Sequence, residues 1–437
     1  MQENSPESSF RPAFHYTNFR HYLGARLLST ASSEMQSVAV GWQVYEITHR
    51  PLDLGLVGLA QFLPGICLFL FAGHVADRVR RQRILQTCMA GFSLCSMLLL
   101  FLTMHPLGGA SHLARAYAIY TVMFLNGTVR AFNGPAAQAF LPLLVPREVF
   151  PNAVAWNASI FQASTIGAPM LGGILYAITG SPVLVYSCAA TGYLVAFFLI
   201  STLHPPAWKP PASGASMSMV LDGLKYIWSN KLVLGAISLD LFAVLLGGAV
   251  ALLPVYAREI LKVGASGLGM LRSAPGLGAL TMSMIVAHRP LRRHAGPVML
   301  WCVFGFGVFT VVFGLSRSVP LSLAVLFLTG MADTVSVIVR STMIQLGTPD
   351  EMRGRVSAVN MVFVGASNEV GQFESGITAQ WFGAIPAVVL GGVGTMLVVA
   401  AWSWLFPGLR RLDRLVVKEP AAALARASAE GTAPVES

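Results

Sequence analysis

Gly73-His74-Val75-Ala76-Asp77-Arg78-Val79-Arg80-Arg81-Gln82-Arg83 separates two apolar runs, residues 54–72 and 84–104. Each run approaches the ~20 residues that carry a helix across a bilayer. A short link that gathers Arg78, Arg80, Arg81 and Arg83 between two such runs reads as a cytoplasmic turn, because short loops rich in Lys and Arg stay on that side. Working outward from it, apolar runs recur along the whole chain. There are roughly twelve of bilayer length, centred near residues 36, 65, 94, 123, 165, 193, 243, 276, 307, 330, 368 and 396.

Composition agrees. Of the 437 residues, 55% are hydrophobic and only 11% charged, against about 25% charged in a soluble domain. So few charges cannot solvate a large surface, but they can fill the loops of a polytopic membrane protein. The net charge of +10 invites a nucleic-acid reading, and the placement of the cations opposes it. With the amino terminus inside, Arg20, the cluster at 78–83, Arg147, Lys225, Arg289, Arg353 and Arg410 fall on one side. Arg50, Arg115, Arg258, Lys262 and Arg317 fall on the other. The full division is about four to one, as orientation demands, and both termini come out cytoplasmic. Nucleic acid is therefore excluded as a partner. Cys67, Cys88, Cys95, Cys188 and Cys302 all sit in apolar runs without a C-x-x-C pair, so neither a disulfide nor a metal is expected.

The chain repeats itself. Val44-Tyr45, Gly58, Pro64-Gly65, Arg78 and Arg81 match Val255-Tyr256, Gly269, Pro275-Gly276, Arg289 and Arg292 at one offset, 211 (256 − 45). Pro146, Glu148, Ala155 and Asn157 match Pro349, Glu351, Ala358 and Asn360 at another, 203 (360 − 157). Two ordered offsets imply two six-span units in parallel orientation. The expected division is a tail at 1–19, a six-helix bundle at 20–203, a linker at 204–229, a second bundle at 230–407 and a tail at 408–437. Within the linker, Leu221, Leu224 and Trp228 stand at helical spacing, which predicts a short amphipathic helix on the cytoplasmic surface.

The pattern of the basic stretch, Gly73, three residues, Asp77-Arg78, then basic residues, resembles the loop between the second and third spans of the major facilitator superfamily. Its second copy, His288-Arg289-Pro290-Leu291-Arg292-Arg293, lacks the aspartate. Gly41-Trp42-Gln43-Val44-Tyr45-Glu46-Ile47-Thr48 and Thr348-Pro349-Asp350-Glu351-Met352-Arg353-Gly354-Arg355-Val356 resemble the enterobactin-exporter-like branch, which also holds drug-efflux-like members. The resemblance implies an all-α membrane fold of twelve transmembrane helices in two pseudo-symmetric bundles. It also implies a cavity lined by spans one, four, seven and ten. In that family the loop aspartate sits at the amino end of the eleventh span, where free N–H groups attract an anion. Carried over, Gly73, Asp77, Arg78, Arg81 and Arg83 form a conformational latch, with Asp77 against the helix that begins near Gly354-Arg355.

Charges within spans are the functional signal. They are Arg26, Glu34, Arg130, Asp240, Arg272, Asp333, Arg340, Glu369 and Glu374. At roughly 2.5–3.5 kcal/mol each on insertion scales, all nine facing lipid would cost about 20–30 kcal/mol, so most must point inward. Glu34, flanked by Ser32, Ser33 and Ser37, is the leading proton carrier, with Asp240, alone in an apolar run, and Asp333 as rivals. Substrate-cavity candidates are Arg26, Asn126, Arg130, Arg340, Asn360, Asn368 and Glu369. Asn126, Arg130 and Asn133 share a helix face. The 203 offset makes Arg130 and Asp333 equivalent, which suggests opposed charges across the cavity. Glu369 and Glu374 are separated by about 140° around a helix and cannot share a face.

These readings converge on a proton-coupled exporter of a small amphiphilic or siderophore-like molecule in a bacterial-type inner membrane. Uptake or facilitated diffusion of a small metabolite is the alternative. No G-x-S-x-G, H-E-x-x-H or phosphate-binding loop is present, so an enzyme is not expected. The expected partners are a small-molecule substrate, protons and the bilayer. No cofactor is expected, and the protein should be a monomer.

Overall fold

Helices end here where the chain must turn. His49 takes a left-handed φ of 51° and Arg50 is extended, as the residue before a proline must be. Pro51 then opens the next helix. Gly180 (φ 60°) and Gly383 (φ 90°) end two others, conformations that favour residues without a Cβ. Asn230 begins another by accepting from the Leu232 and Val233 N–H groups at 3.2 and 3.3 Å.

The computed structural model describes residues 12–105, 111–204, 217–289 and 293–413. In order come α1 (Thr17–Thr48), α2 (Pro51–Arg78), α3 (Arg81–Met104), α4 (His112–Phe140), α5 (Phe150–Thr179) and α6 (Val183–Ser201). They are followed by α7 (Met217–Ser229), α8 (Lys231–Leu246), the short α9 (Leu253–Val255), α10 (Gly264–His288), α11 (Ala295–Leu315), α12 (Val319–Gly347), α13 (Asp350–Phe382) and α14 (Ala384–Leu405). The seventh span is broken. After Gly247 and Gly248 it continues through a 3₁₀ turn, α9 and a π turn, Tyr256–Ile260.

Among the described residues, nine helical stretches are long and apolar enough to cross a membrane. α1, α4 and α13 have 32, 29 and 33 residues and are long enough, but they are more polar. Those three carry Arg26, Glu34, Arg130 and Glu369, so the missing hydropathy is the charge of the cavity wall described below.

Packing repeats between the halves. In the first bundle α1 packs on α5 and α6, α2 on α4, and α3 on α4 and α6. In the second, α8 packs on α13 and α14, α10 on α12, and α11 on α12 and α14. Between bundles α2 meets α13 and α5 meets α10. The close approaches are equivalent too. A Cβ on Gly127 of α4 would lie 2.0 Å from the Gln61 carbonyl oxygen of α2. One on Gly330 of α12, 203 residues on, would lie 1.9 Å from the Pro275 carbonyl oxygen of α10. Gly127→Ala is accordingly expected to lower stability by about 1–3 kcal/mol through overpacking. Gly65→Ala, with nothing within 4 Å of its Cβ position, should not. Thermal unfolding in detergent compares the two.

The face where α1 begins, with the α2–α3 turn, will be called the terminal face, and its opposite the far face. The halves touch closely toward the far face. Gly173 of α5 would place a Cβ 3.1 Å from Gly269 Cα of α10, and its repeat equivalent, Gly376 of α13, one 3.2 Å from Gly55 Cα of α2. A buried apolar cluster there joins Val38–Tyr45 side chains to Leu252, Leu253, Leu268 and Phe313 of the other half. Toward the terminal face Gly134 and Gly365 meet nothing within 4 Å. What crosses there is a side-chain contact, Gln138 of α4 donating to the Met361 sulfur of α13 at 3.4 Å.

α7 is fastened to the second bundle. Arg355 Nη1 of α13 lies 2.8 Å from Asp222 Oδ2, Tyr226 donates to the Gly347 carbonyl at 2.9 Å, and Ile227 is fully buried. Leu221 and Trp228 remain exposed. The apolar residues that hold the helix are thus Ile227 and, partly buried against the same cluster, Leu224 of the positions that the spacing picks out.

Candidate functional site

A cavity of about 500 Å³ lies between the bundles. α1 contributes Arg26, Ser33, Glu34 and Gln36. α4 contributes Asn126, Arg130 and Asn133, the one-face stripe expected from spacing. From the second bundle come Val250, Ala251 and Pro254 of the broken seventh span, Arg272 of α10, and Glu369 and Gln372 of α13.

The charges interlock across the gap. Arg130 Nη1 lies 3.6 Å from Glu369 Oε1, with the arginine side chain 61% exposed and the glutamate 14%. This pair joins α4 of one bundle to α13 of the other. Gln372 donates to the second Glu369 oxygen at 3.4 Å. Arg272 lines the same cavity as Glu34 and Glu369 and lies in the field of both, without an ion pair to either among the described residues. Arg26 stacks 5.7 Å from the Phe161 ring, and its buried Nε has no hydrogen-bond partner among the described residues. Gln61 donates to Asn126 at 3.0 Å, and Ser96 to Gln36 at 2.6 Å. The wall therefore offers three guanidinium groups, two carboxylates and the rings of Phe92, Phe161 and Tyr193. Such a surface can hold a molecule with anionic and aromatic parts, and it can exchange internal ion pairs for pairs with that molecule.

Several expectations need correction. Arg130 meets Glu369 of α13, and its repeat equivalent Asp333 lies outside the cavity lining with no ion-pair partner among the described residues. Asp240 is not alone: it forms a buried ion pair with Arg340, inside the second bundle between α8 and α12. Both are absent from the cavity lining, as are Asn360 and Asn368. Asn368 donates to the Val364 carbonyl of its own helix at 2.8 Å, and Asn360 has a buried oxygen without a hydrogen-bond partner among the described residues. Span ten adds nothing to the lining and span seven only its broken stretch. The reason is geometric: α12 turns Arg340 toward α8, and α13 and α10 supply the second bundle's wall. Gln36, Gln61 and Gln372 are wall residues that sequence reasoning did not assign to the cavity, and Arg272, singled out there only as a charge within a span, joins them. Their signal was a polar side chain in an otherwise apolar run. Glu374 faces elsewhere, accepting from Thr378 at 2.8 Å.

The basic stretch is less of a loop than its composition suggests. α2 runs through Gly73 to Arg78, and only Val79-Arg80 link it to α3. Arg81 donates to the Ala139 carbonyl at 2.7 Å, and Gln82 to the Ile200 and Leu203 carbonyls at 2.9 and 2.8 Å. These bonds tie the start of α3 to its own bundle. Arg78 and Arg83 are exposed, and the side chain of Asp77 lies outside the described residues. At the start of α13, Arg355 is met by Asp222 of α7.

Similarity to known proteins matches this build. The chain is 29% identical over 393 residues to the enterobactin exporter EntS of Shigella boydii serotype 4 (strain Sb227), covering 88% of this chain and 86% of the relative. The same figures hold for EntS of Escherichia coli O139:H28 (strain E24377A / ETEC). Among solved structures, a bacterial homologue of the iron transporter ferroportin in an inward-facing state superposes with a TM-score of 0.67 at 15% identity, over 88% of this chain and 98% of that one. A bacterial homologue of the human lysosomal transporter Spinster, inward-facing and occupied, gives 0.68 at 14%, over 90% and 96%. Identities of that size speak to the fold. A family described as "Transmembrane secretion effector" matches residues 7–423. With nearly the whole chain inside that match and long apolar helices making up the described residues, this multi-pass membrane transporter belongs to the transmembrane secretion effector family of the major facilitator superfamily.

Proposed function

We propose that this transporter exports a small amphiphilic, siderophore-like molecule by proton-coupled alternating access across a bacterial inner membrane. The terminal face is then cytoplasmic, by the distribution of Lys and Arg, and the cavity is loaded from that side. One observation carries the reading. Arg26, Arg130 and Arg272 face a single cavity with Glu34 and Glu369, and close contact between the halves is concentrated toward the far face. Arg130, which already holds Glu369 across the gap, can trade it for an anionic cargo, and the released carboxylate can take a proton. The EntS relatives are enterobactin exporters, which supports cargo of this class. The driving force is sufficient: one proton entering down ~150 mV supplies about 3.5 kcal/mol, roughly a 300-fold cargo gradient.

In this reading Glu34 carries the proton and Arg272 reports its state to both halves. Glu34→Gln is expected to abolish transport driven by an imposed pH gradient in proteoliposomes while cargo still binds. The assay is proton release on addition of a catecholate siderophore, with a cationic amphiphilic drug in parallel. Undiminished pH-driven transport by Glu34→Gln moves the proton site to Asp240 or Asp333. Release with the drug alone makes the cargo cationic and the acids its contacts.

A further inference from the structure

The far-face seam carries a polar lock beside its glycines. Tyr45 and Glu46 end α1, and Arg258 and Glu259 stand on the π turn of the second bundle. The Tyr45 hydroxyl donates to Glu259. Arg258 Nη1 lies 3.7 Å from Glu46 Oε1, and the guanidinium sits 5.8 Å from the Trp42 ring. Tyr176 of α5 donates to the other Glu46 oxygen at 2.8 Å. Arg258 therefore ties Glu46 to the second bundle, while Tyr176 ties it to its own.

Glu46 also borders a second cavity, about 330 Å³, inside the far end of the first bundle. Two polar residues of that cavity already have partners. Gln43 accepts from Tyr186 at 2.6 Å and donates to Thr103 at 3.0 Å. Arg115 of α4 has none: it lines the same cavity, its Nε is buried without a hydrogen bond, and it makes no ion pair among the described residues.

We propose that Glu46 is a two-position gate residue, paired with Arg258 of the second bundle while the far face is closed and handed to Arg115 of its own bundle when the far face opens. The inference rests on alternating access. Opening withdraws Arg258 and leaves a carboxylate at the rim with the Tyr176 hydroxyl but no cation beside it. The cavity gives a flexible glutamate side chain room to turn, and Arg115 waits across it. Both end states then keep the carboxylate paired, which makes the element bistable. Arg258 retains Glu259 beside it on the same turn. The pair is partly exposed, 29% and 45%, so each change should move the population about 2- to 5-fold.

The test uses the full-length protein in lipid nanodiscs, with exposed Cys67 replaced by serine and spin labels at His112 and Arg317. Both label sites are exposed, on the far face and in opposite halves. Arg258→Gln should raise the long-distance fraction about 2- to 5-fold, and Arg115→Gln should lower it by a similar factor. Arg115→Lys should restore it, and Arg115→Gln should do nothing further in a Glu46→Gln background. A fraction indifferent to Arg115→Gln, or an equal effect with and without the Glu46 carboxylate, overturns the hand-over alone. A parent protein holding one distance at every pH and cargo concentration overturns alternating access, and the hand-over with it.

Discussion

Asp240→Asn is expected to destabilise the protein by about 3–5 kcal/mol. The substitution keeps the shape of the side chain and removes its charge. Arg340 is then left with an uncompensated guanidinium at a position where both side chains are less than a tenth exposed, 5% and 8%. Its Nε already lacks a hydrogen-bond partner among the described residues, so nothing nearby takes over from the carboxylate. Net stabilities of ~5–15 kcal/mol leave little margin for such a loss. The readout is the thermal midpoint in detergent together with the folded yield. Replacing the pair together, as Asp240→Leu with Arg340→Met, should return most of the stability, because no charge is then stranded. If Asp240→Asn melts like the parent, the pair does not hold α8 to α12. If the apolar double variant is stable yet loses coupling to a pH gradient, Asp240 takes the proton role assigned to Glu34.

Gly173→Val should jam the far face. Even a Cβ at this position would lie 2.5 Å from the Ala265 carbonyl oxygen and 3.1 Å from Gly269 Cα, both on α10. Backbone cannot step aside as a flexible side chain can. The added bulk penalises the closed seam by about 1–3 kcal/mol, which shifts the equilibrium between closed and open far faces roughly 5- to 150-fold. Turnover should fall at least about fivefold, and a cysteine placed at Ser37 on the cavity wall should react with an impermeant maleimide added from the far side. Gly167→Val, with nothing within 4 Å of its Cβ position, is the matched control. Equal labelling rates in Gly173→Val and the control would mean that this contact does not seal the cavity.

Much of the architecture was legible in the sequence because it depends on local quantities. Run length, cation placement and two constant offsets need no knowledge of contacts, and they give twelve spans in two like halves. The 203 offset even relates Gly127 to Gly330 and Gly173 to Gly376, whose contacts are equivalent in the fold. The cavity was legible where several wall residues share one helix face, as Asn126, Arg130 and Asn133 do, and in the charges Arg26, Glu34 and Glu369. Elsewhere a lone charge in an apolar run has two outcomes that the sequence cannot separate. Asp240 and Arg340, on different helices, found each other inside one bundle, while Arg272 faces the cavity between the two. Which outcome holds depends on helix rotation, and rotation is decided by packing between segments far apart in the chain. The repeat also misled at one point, since equivalent positions such as Arg130 and Asp333 keep the same place in the fold but not the same surroundings.

The cavity wall is drawn unequally from the two bundles. Every lining residue up to Tyr193 belongs to the first, and the second adds only Val250, Ala251, Pro254, Arg272, Glu369 and Gln372. A passenger held mainly by one side stays with that side when the two rock apart. The first bundle is then the hand and the second the lid. Changes of cargo preference should accumulate in the hand, while changes of speed should accumulate in the lid.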